Sequence, residues 1–215
     1  MKQKYIFFDL DGTLTDPAEG ILNCIEHSIK KLGLFAKREE LKCFIGPPLL
    51  DTYMKFFNIP HETAEKAVEY YRERFSVTGL FENKLYTGIP EALKRLKDSG
   101  KHLVIATSKP EIYTKRITDH FGITEYFDFI AGALLDHSRV EKADVIAHAV
   151  RELSADVEGS VMIGDRKFDI EGAAENGIKG YGVLWGYGSQ EELALSGAEK
   201  CFETVSEMTD FLMDF

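Results

Sequence analysis

Cysteine is scarce in this 215-residue chain: three residues, Cys24, Cys43 and Cys201. An odd count without metal-ligand spacing excludes a closed disulfide framework and a thiolate metal site, and leaves reduced, partly buried thiols as the expectation. Basic residues are also in deficit, with 26 Lys and Arg against 36 Asp and Glu, a net charge of -10 and a pI near 5.1. Tracking a nucleic-acid backbone needs a basic surface that releases counterions, so nucleic acid is excluded as a bulk partner. Any phosphate handled here is small, and is held by a local cluster of cations against the average field of an acidic protein. Long apolar runs are missing as well. The basic start Met1-Lys2-Gln3-Lys4 leads into only Tyr5 to Phe8 before Asp9 interrupts, too short for a signal peptide or a membrane span. A cytoplasmic protein with no membrane partner is expected. No repeat or strongly polar stretch occurs, and 44% hydrophobic with 29% charged residues is the balance of a folded globular chain.

What the chain does contain is an alternation of short, nearly continuous apolar runs with helix-period segments. That is the pattern of parallel strands buried on both faces by crossover helices, an α/β, Rossmann-like sheet. The strand candidates are 5–8, 103–106, 127–131, 161–163 and 181–184. Helices are predicted over 90–99, 110–121 and 168–176, each stopped by a glycine (Gly100, Gly122, Gly177). Residues 15–85 break the alternation: helical segments at 21–32, 49–57 and 62–75 read as an inserted cap domain, leaving 1–14 and 86–215 as the core. Gly46-Pro47-Pro48 cannot continue a helix and marks a fixed loop inside that insert.

Four clusters at strand ends carry chemistry, where open α/β sheets place their ligands. In Phe8-Asp9-Leu10-Asp11-Gly12-Thr13, side-chain alternation points Asp9 and Asp11 the same way. Two neighbouring carboxylates need a cation between them or a shared proton, which makes a metal or acid/base site. The plainer reading, turn formers and a cap, is disfavoured by the buried strand before them. Thr107-Ser108-Lys109 offers hydroxyls to a phosphate oxygen, although a Thr or Ser before Pro110 also suits a helix cap. Lys142 opens a helix over 143–150, against the macrodipole, and provides a point charge; a solvated lysine is the plain alternative and Arg139 the competing cation. In Gly164-Asp165-Arg166-Lys167-Phe168-Asp169, Asp165 suits Mg²⁺, a hard cation that takes oxygen ligands. Asp169 either assists it or is a first-turn acid favoured by the helix dipole.

In this order the four clusters resemble the haloacid dehalogenase superfamily, in its subclass with a helical cap after the first motif. The resemblance spans residues 6 to about 172. It implies a phosphatase using Mg²⁺, with Asp9 as nucleophile and metal ligand, and Asp11 as general acid and base with its backbone carbonyl on the metal. Thr107 would hold the phosphoryl group, Lys142 would neutralise Asp9 and the phosphate, and Asp165 and Asp169 would complete the metal site. Ser108, Gly12 and Gly46 are the remaining candidate substrate-binding positions. Phe44-Ile-Gly-Pro-Pro-Leu49 and Leu184-Trp-Gly-Tyr-Gly188 are similar to the phosphoglycolate phosphatase and nucleotidase-like branch, so the expected substrate is a small phosphomonoester and the expected assembly a monomer or homodimer. Tyr53, Phe56, Phe57, Tyr70, Tyr71 and Phe75 read as cap core rather than a base-stacking platform. A phosphomutase of the same superfamily would share every motif. A dehalogenase needs no leaving-group acid such as Asp11, and a phosphate-receiving signalling module would lack the insert; a non-catalytic binding protein is the reading outside enzymes.

Overall fold

The computed structural model describes residues 4–136 and 138–215; Met1, Lys2, Gln3 and His137 lie outside the described residues. Contacts gather the chain into two compact units, one of residues up to 15 together with 85–215 and one of residues 16–84.

The first unit is built on six parallel strands: β1 (Tyr5–Phe8), β4 (His102–Pro110), β5 (Phe129–Ala133), β6 (Ser160–Gly164), β7 (Lys179–Val183) and β8 (Cys201–Phe202), in the order β5-β4-β1-β6-β7-β8. Every residue of β1 and β6 is buried, which accounts for their unbroken apolar sequences. Tyr5 and Phe7 of β1 and Met162 of β6 share one core with Val145 and Ile146 of α6 (Lys142–Leu153) and Ala173 of α7 (Lys167–Glu175). Helix α5 (Glu111–His120) packs on β4 and β5, and α4 (Ile89–Asp98) on β4 and α9 (Val205–Asp214). A short helix, α8 (Gln190–Leu195), lies between β7 and β8.

Within α7 the three small residues divide their work. Ala173 joins the core beneath the sheet and Ala174 is exposed. Gly172 faces α6 instead: a Cβ there would lie 3.0 Å from the Ala143 nitrogen and 3.1 Å from Lys142 Cγ. Close approach of the two helices at Lys142 therefore depends on this glycine.

Two-residue strands β2 (Thr15–Asp16) and β3 (Lys84–Leu85) pair where the chain leaves and re-enters the first unit; neither was legible as a strand. The second unit holds α1 (Ala18–Lys31), α2 (Leu49–Phe57) and α3 (His61–Phe75), with α3 packed on both others. Of its expected core aromatics Tyr53 is fully buried and Tyr71 and Phe75 nearly so, with Phe44 meeting Tyr53 edge-on at 4.9 Å, whereas Phe57 and Tyr70 are half-buried and Phe56 is exposed, against expectation. Arg74 of α3 holds Glu82 through two hydrogen bonds of 2.6 and 2.8 Å. No disulfide forms among the described residues; Cys24 is buried and Cys201 half-buried, whereas Cys43 is exposed, against expectation. Among the described residues no helix is long and apolar enough to cross a membrane.

Candidate active site

Strand register brings the sequence clusters to one edge. Phe8 of β1 is level with Ile105 of β4 and Ile163 of β6, and the Asp9 amide donates to the Ile163 carbonyl at 2.9 Å. The residues just beyond, Asp9, Thr107 and Asp165, therefore emerge together at the carboxyl ends of three adjacent strands.

Asp9, Asp165 and Asp169 are all buried, and each offers a carboxylate oxygen within 4.8 Å of the others. Lys142 is the counter-charge. Its Nζ lies 2.7 Å from Asp9 Oδ1 and 2.7 Å from Asp169 Oδ1, and donates to the Ala106 carbonyl at 3.1 Å. Burial draws the Lys142 pKa down, but Asp169 and Asp9 more than offset it and raise the pKa overall. Its sequence looked like that of an exposed lysine; instead the side chain is 5% exposed, and it is itself the first residue of α6. Arg139, the competing cation, is committed elsewhere, to the Gly132 carbonyl at 2.9 Å and Glu111 Oε2 at 3.0 Å.

Two of the acids are oriented by backbone amides. Asp165 Oδ2 accepts the Tyr187 amide at 2.8 Å and Asp169 Oδ2 the Arg166 amide at 3.0 Å, so the helix-start role of Asp169 coexists with its place in the cluster. Burial, and next the charges of Asp169 and Asp9, raise the Asp165 carboxyl well above its ordinary range. Burial likewise raises Asp169, with Lys142 opposing. Such a set is stabilised by any cation placed among it. Asp165 Oδ1 is buried and accepts no hydrogen bond from the described residues.

The Asp11 carboxylate stands apart from this group. Its Oδ2 lies 2.6 Å from Lys109 Nζ, near the end of β4, the strand paired with β1. Lys109 had no assigned role at the level of sequence. Burial raises the Asp11 carboxyl above its ordinary range, with Lys109 opposing. Thr107 is buried, and its Oγ1 accepts the Lys109 amide at 3.3 Å; Ser108 is half-buried. Gly46 sits in the second unit, ahead of α2, at φ +104°.

Glycines make room for Asp165. Gly12 adopts φ +85°, and a Cβ on it would fall 2.2 Å from Asp165 Oδ2. A Cβ at Gly186 would fall 2.4 Å from Asp165 Cβ and one at Gly188 1.9 Å from the Asp165 carbonyl. The segment Trp185 to Gly188 thus wraps Asp165, and Trp185 Nε1 ties it to the Thr13 carbonyl at 3.0 Å. The sequence signal was the Gly-Tyr-Gly spacing itself; what it packs against is not a local property.

The haloacid dehalogenase-like hydrolase family model matches residues 6–183. A 5'-nucleotidase of Pseudomonas aeruginosa is 43% identical over 189 residues, 87% of this chain and 86% of that one. Tyrosine-protein kinase PtkA of Mycobacterium tuberculosis is also 43% identical, over 184 residues that make up 85% of this chain but only 62% of that protein. Among solved structures, one described as a predicted phosphatase from Clostridium acetobutylicum superimposes with a TM-score of 0.95 at 42% identity, covering both chains completely. Sheet, strand-end acids and relatives together define a phosphatase, a phosphoric monoester hydrolase. The chain belongs to the haloacid dehalogenase-like hydrolases.

Proposed function

We propose that this phosphatase requires Mg²⁺ and hydrolyses a small phosphomonoester, of the phosphoglycolate or nucleoside monophosphate type, through an aspartyl phosphate on Asp9. The observation that carries the reading is the buried Lys142 ammonium, held 2.7 Å from both Asp9 and Asp169 beside Asp165. Hydrolysis of a phosphate monoester is slow chiefly because charge must be neutralised, and this cluster concentrates charge at one strand edge.

In the first step an Asp9 oxygen bonds to phosphorus while the bond from phosphorus to the leaving oxygen breaks, and Asp11 gives its proton to that oxygen. In the second, Asp11 takes a proton from water, whose oxygen attacks phosphorus and releases Asp9 and inorganic phosphate. A raised Asp11 carboxyl supports the acid role. Lys142 offsets charge on Asp9 and on the phosphoryl oxygens, and the Thr107 and Ser108 hydroxyls with the turn at Gly12 would hold those oxygens. The metal fits the donor set: three buried carboxylates, one with an uncommitted oxygen, match a hard cation that is held by one or two carboxylates and keeps its waters. Asp9, Asp165 and Asp169 would hold it with the Asp11 carbonyl. Bound there, Mg²⁺ would supply positive charge against the phosphoryl oxygens.

Residues 16–84 are proposed as the inserted cap domain. The P. aeruginosa nucleotidase supports the nucleoside monophosphate arm. A phosphomutase would use the same residues, so the test is release of inorganic phosphate from phosphoglycolate, sugar phosphates, nucleoside 5'-monophosphates and phosphotyrosine, with ATP as the donor control. Chelation should abolish release, with Mg²⁺ or Mn²⁺ restoring it better than Ca²⁺. Full turnover after exhaustive chelation would overturn the metal assignment.

A further inference from the structure

The geometry points to Lys109 as a positioning residue that holds Asp11 for proton transfer, an inference that rests on the acid–base role proposed above for Asp11. The lysine side chain is 7% exposed, and its Nζ lies 2.6 Å from Asp11 Oδ2. Only that oxygen is taken. Asp11 Oδ1 is buried and makes no hydrogen bond to the described residues. A cation fixed on Oδ2 stops the carboxyl from rotating and leaves Oδ1 as the oxygen that exchanges a proton.

The backbone around Lys109 is shaped for this reach. Pairing between β4 and β5 slips register between Thr107 and Pro110, which turns Lys109 out of the regular pleat. Opposite the slip lies Gly132, where a Cβ would meet the Lys109 carbonyl and the Glu111 Cα at 2.6 Å each. The Lys109 amide is tied to Thr107 Oγ1 at 3.3 Å. A lysine stem loses considerable rotamer freedom when held, and here a fixed backbone and near-complete burial set its path. The neighbouring cations have other partners: Lys142 faces Asp9 and Asp169, and Arg139 faces Glu111.

In the first step the proton leaves Asp11 Oδ1 for the departing ester oxygen as the Asp9–phosphorus bond forms, and the resulting carboxylate stays paired with Lys109. In the second, Oδ1 takes a proton from the attacking water, which restores the protonated Asp11 acid with Oδ2 still held by Lys109. Lys109 neither gains nor loses a proton. The rival role for the same ammonium is direct capture of an anionic group on the substrate, which would act on binding rather than on proton transfer.

The test compares Lys109→Met, Lys109→Arg, Asp11→Asn and the Asp11→Asn/Lys109→Met double variant, with Mg²⁺ present, on p-nitrophenyl phosphate and on an alkyl phosphate. Nitrophenolate leaves without a proton and an alkoxide does not, so a mispositioned acid is exposed by the second substrate. Lys109→Met should lower kcat for the alkyl phosphate about 10- to 100-fold more than it lowers the nitrophenol burst, with KM changing less than about threefold. Lys109→Arg should recover most of the loss, and in the Asp11→Asn background Lys109→Met should cost less than about threefold further. Equal losses on both substrates, a rise in KM alone, or full additivity with Asp11→Asn would overturn the proposal. If Asp11→Asn itself shows no leaving-group selectivity, the acid–base role fails first and the positioning role with it. Should Lys109→Met not fold, the same comparison is read from Lys109→Arg and Lys109→Gln.

Discussion

Gly12 and Gly100 make a matched pair, with φ of +85° and +83°. Alanine at either position is forced into a left-handed conformation that costs about 1–2 kcal/mol. At Gly100 nothing lies within 4 Å of the added Cβ, so that cost should be the whole effect. At Gly12 the same Cβ would meet Asp165 at 2.2, 2.5 and 2.7 Å through Oδ2, Cγ and Oδ1. The carboxylate cannot readily retreat, because Oδ2 is held by the Tyr187 amide and Gly186 closes on Asp165 Cβ. Overpacking of that kind adds about 1–3 kcal/mol. Gly12→Ala should therefore unfold at lower urea than Gly100→Ala by an amount equivalent to about 1–3 kcal/mol, at unchanged m-value. Phosphatase activity should fall in Gly12→Ala and persist in Gly100→Ala. Equal stability of the two variants within about 0.5 kcal/mol would refute the reasoning that Gly12 serves close approach to Asp165.

Lys142→Ala should lose at least about 100-fold in kcat, as removal of a preorganised charge does, while Arg139→Ala stays within about tenfold of wild type because Arg139 is spent on Glu111 and Gly132. Steady-state kinetics of the two variants decides this, and a worse Arg139→Ala would mean the cation is misassigned. Hydrogen bonds from Arg74 hold the Glu82 carboxyl below its usual range. The stability from this pair should be present above the unfolded pKa of about 4.3 and lost as pH falls through the lower folded value. Urea denaturation of wild type and Glu82→Gln should differ by about 1 kcal/mol at pH 7 and converge below about pH 4, and a pH-independent difference would count against it.

The parallel sheet was legible because β1, β4 and β6 are buried on both faces and so carry unbroken apolar runs. Helix α2 was read at its observed limits, Leu49–Phe57, since Pro48 opens it. β8 escaped notice: Cys201–Phe202 is two residues long, and pairing with β7 supplies what two residues of pattern cannot. Strand order escaped as well, being set by packing and not by local propensity. At the site, Asp9 and Asp165 were readable because each directly follows a strand, and Asp169 because it lies one helical turn further on, in the first turn of α7. Lys142 was singled out over Arg139 by resemblance alone; its burial between two acids depends on Gly172 admitting α7 beside α6. The Lys109–Asp11 pair and the wrapping of Asp165 by Gly186 and Gly188 join segments about 100 and 20 residues apart, and no periodicity encodes such meetings.

Covalent capture on Asp9 is the claim on which the proposed chemistry stands, and Asp11→Asn isolates it. A stable leaving group such as p-nitrophenolate needs no acid, whereas every substrate needs water activated in the second step. Asp11→Asn mixed with p-nitrophenyl phosphate and Mg²⁺ should release one burst of nitrophenol and then stall, and rapid quenching followed by intact-protein and peptide mass analysis should place one phosphoryl group on Asp9, with none in Asp9→Asn. Slow steady turnover with no adduct, or an adduct that persists in Asp9→Asn, would contradict the account.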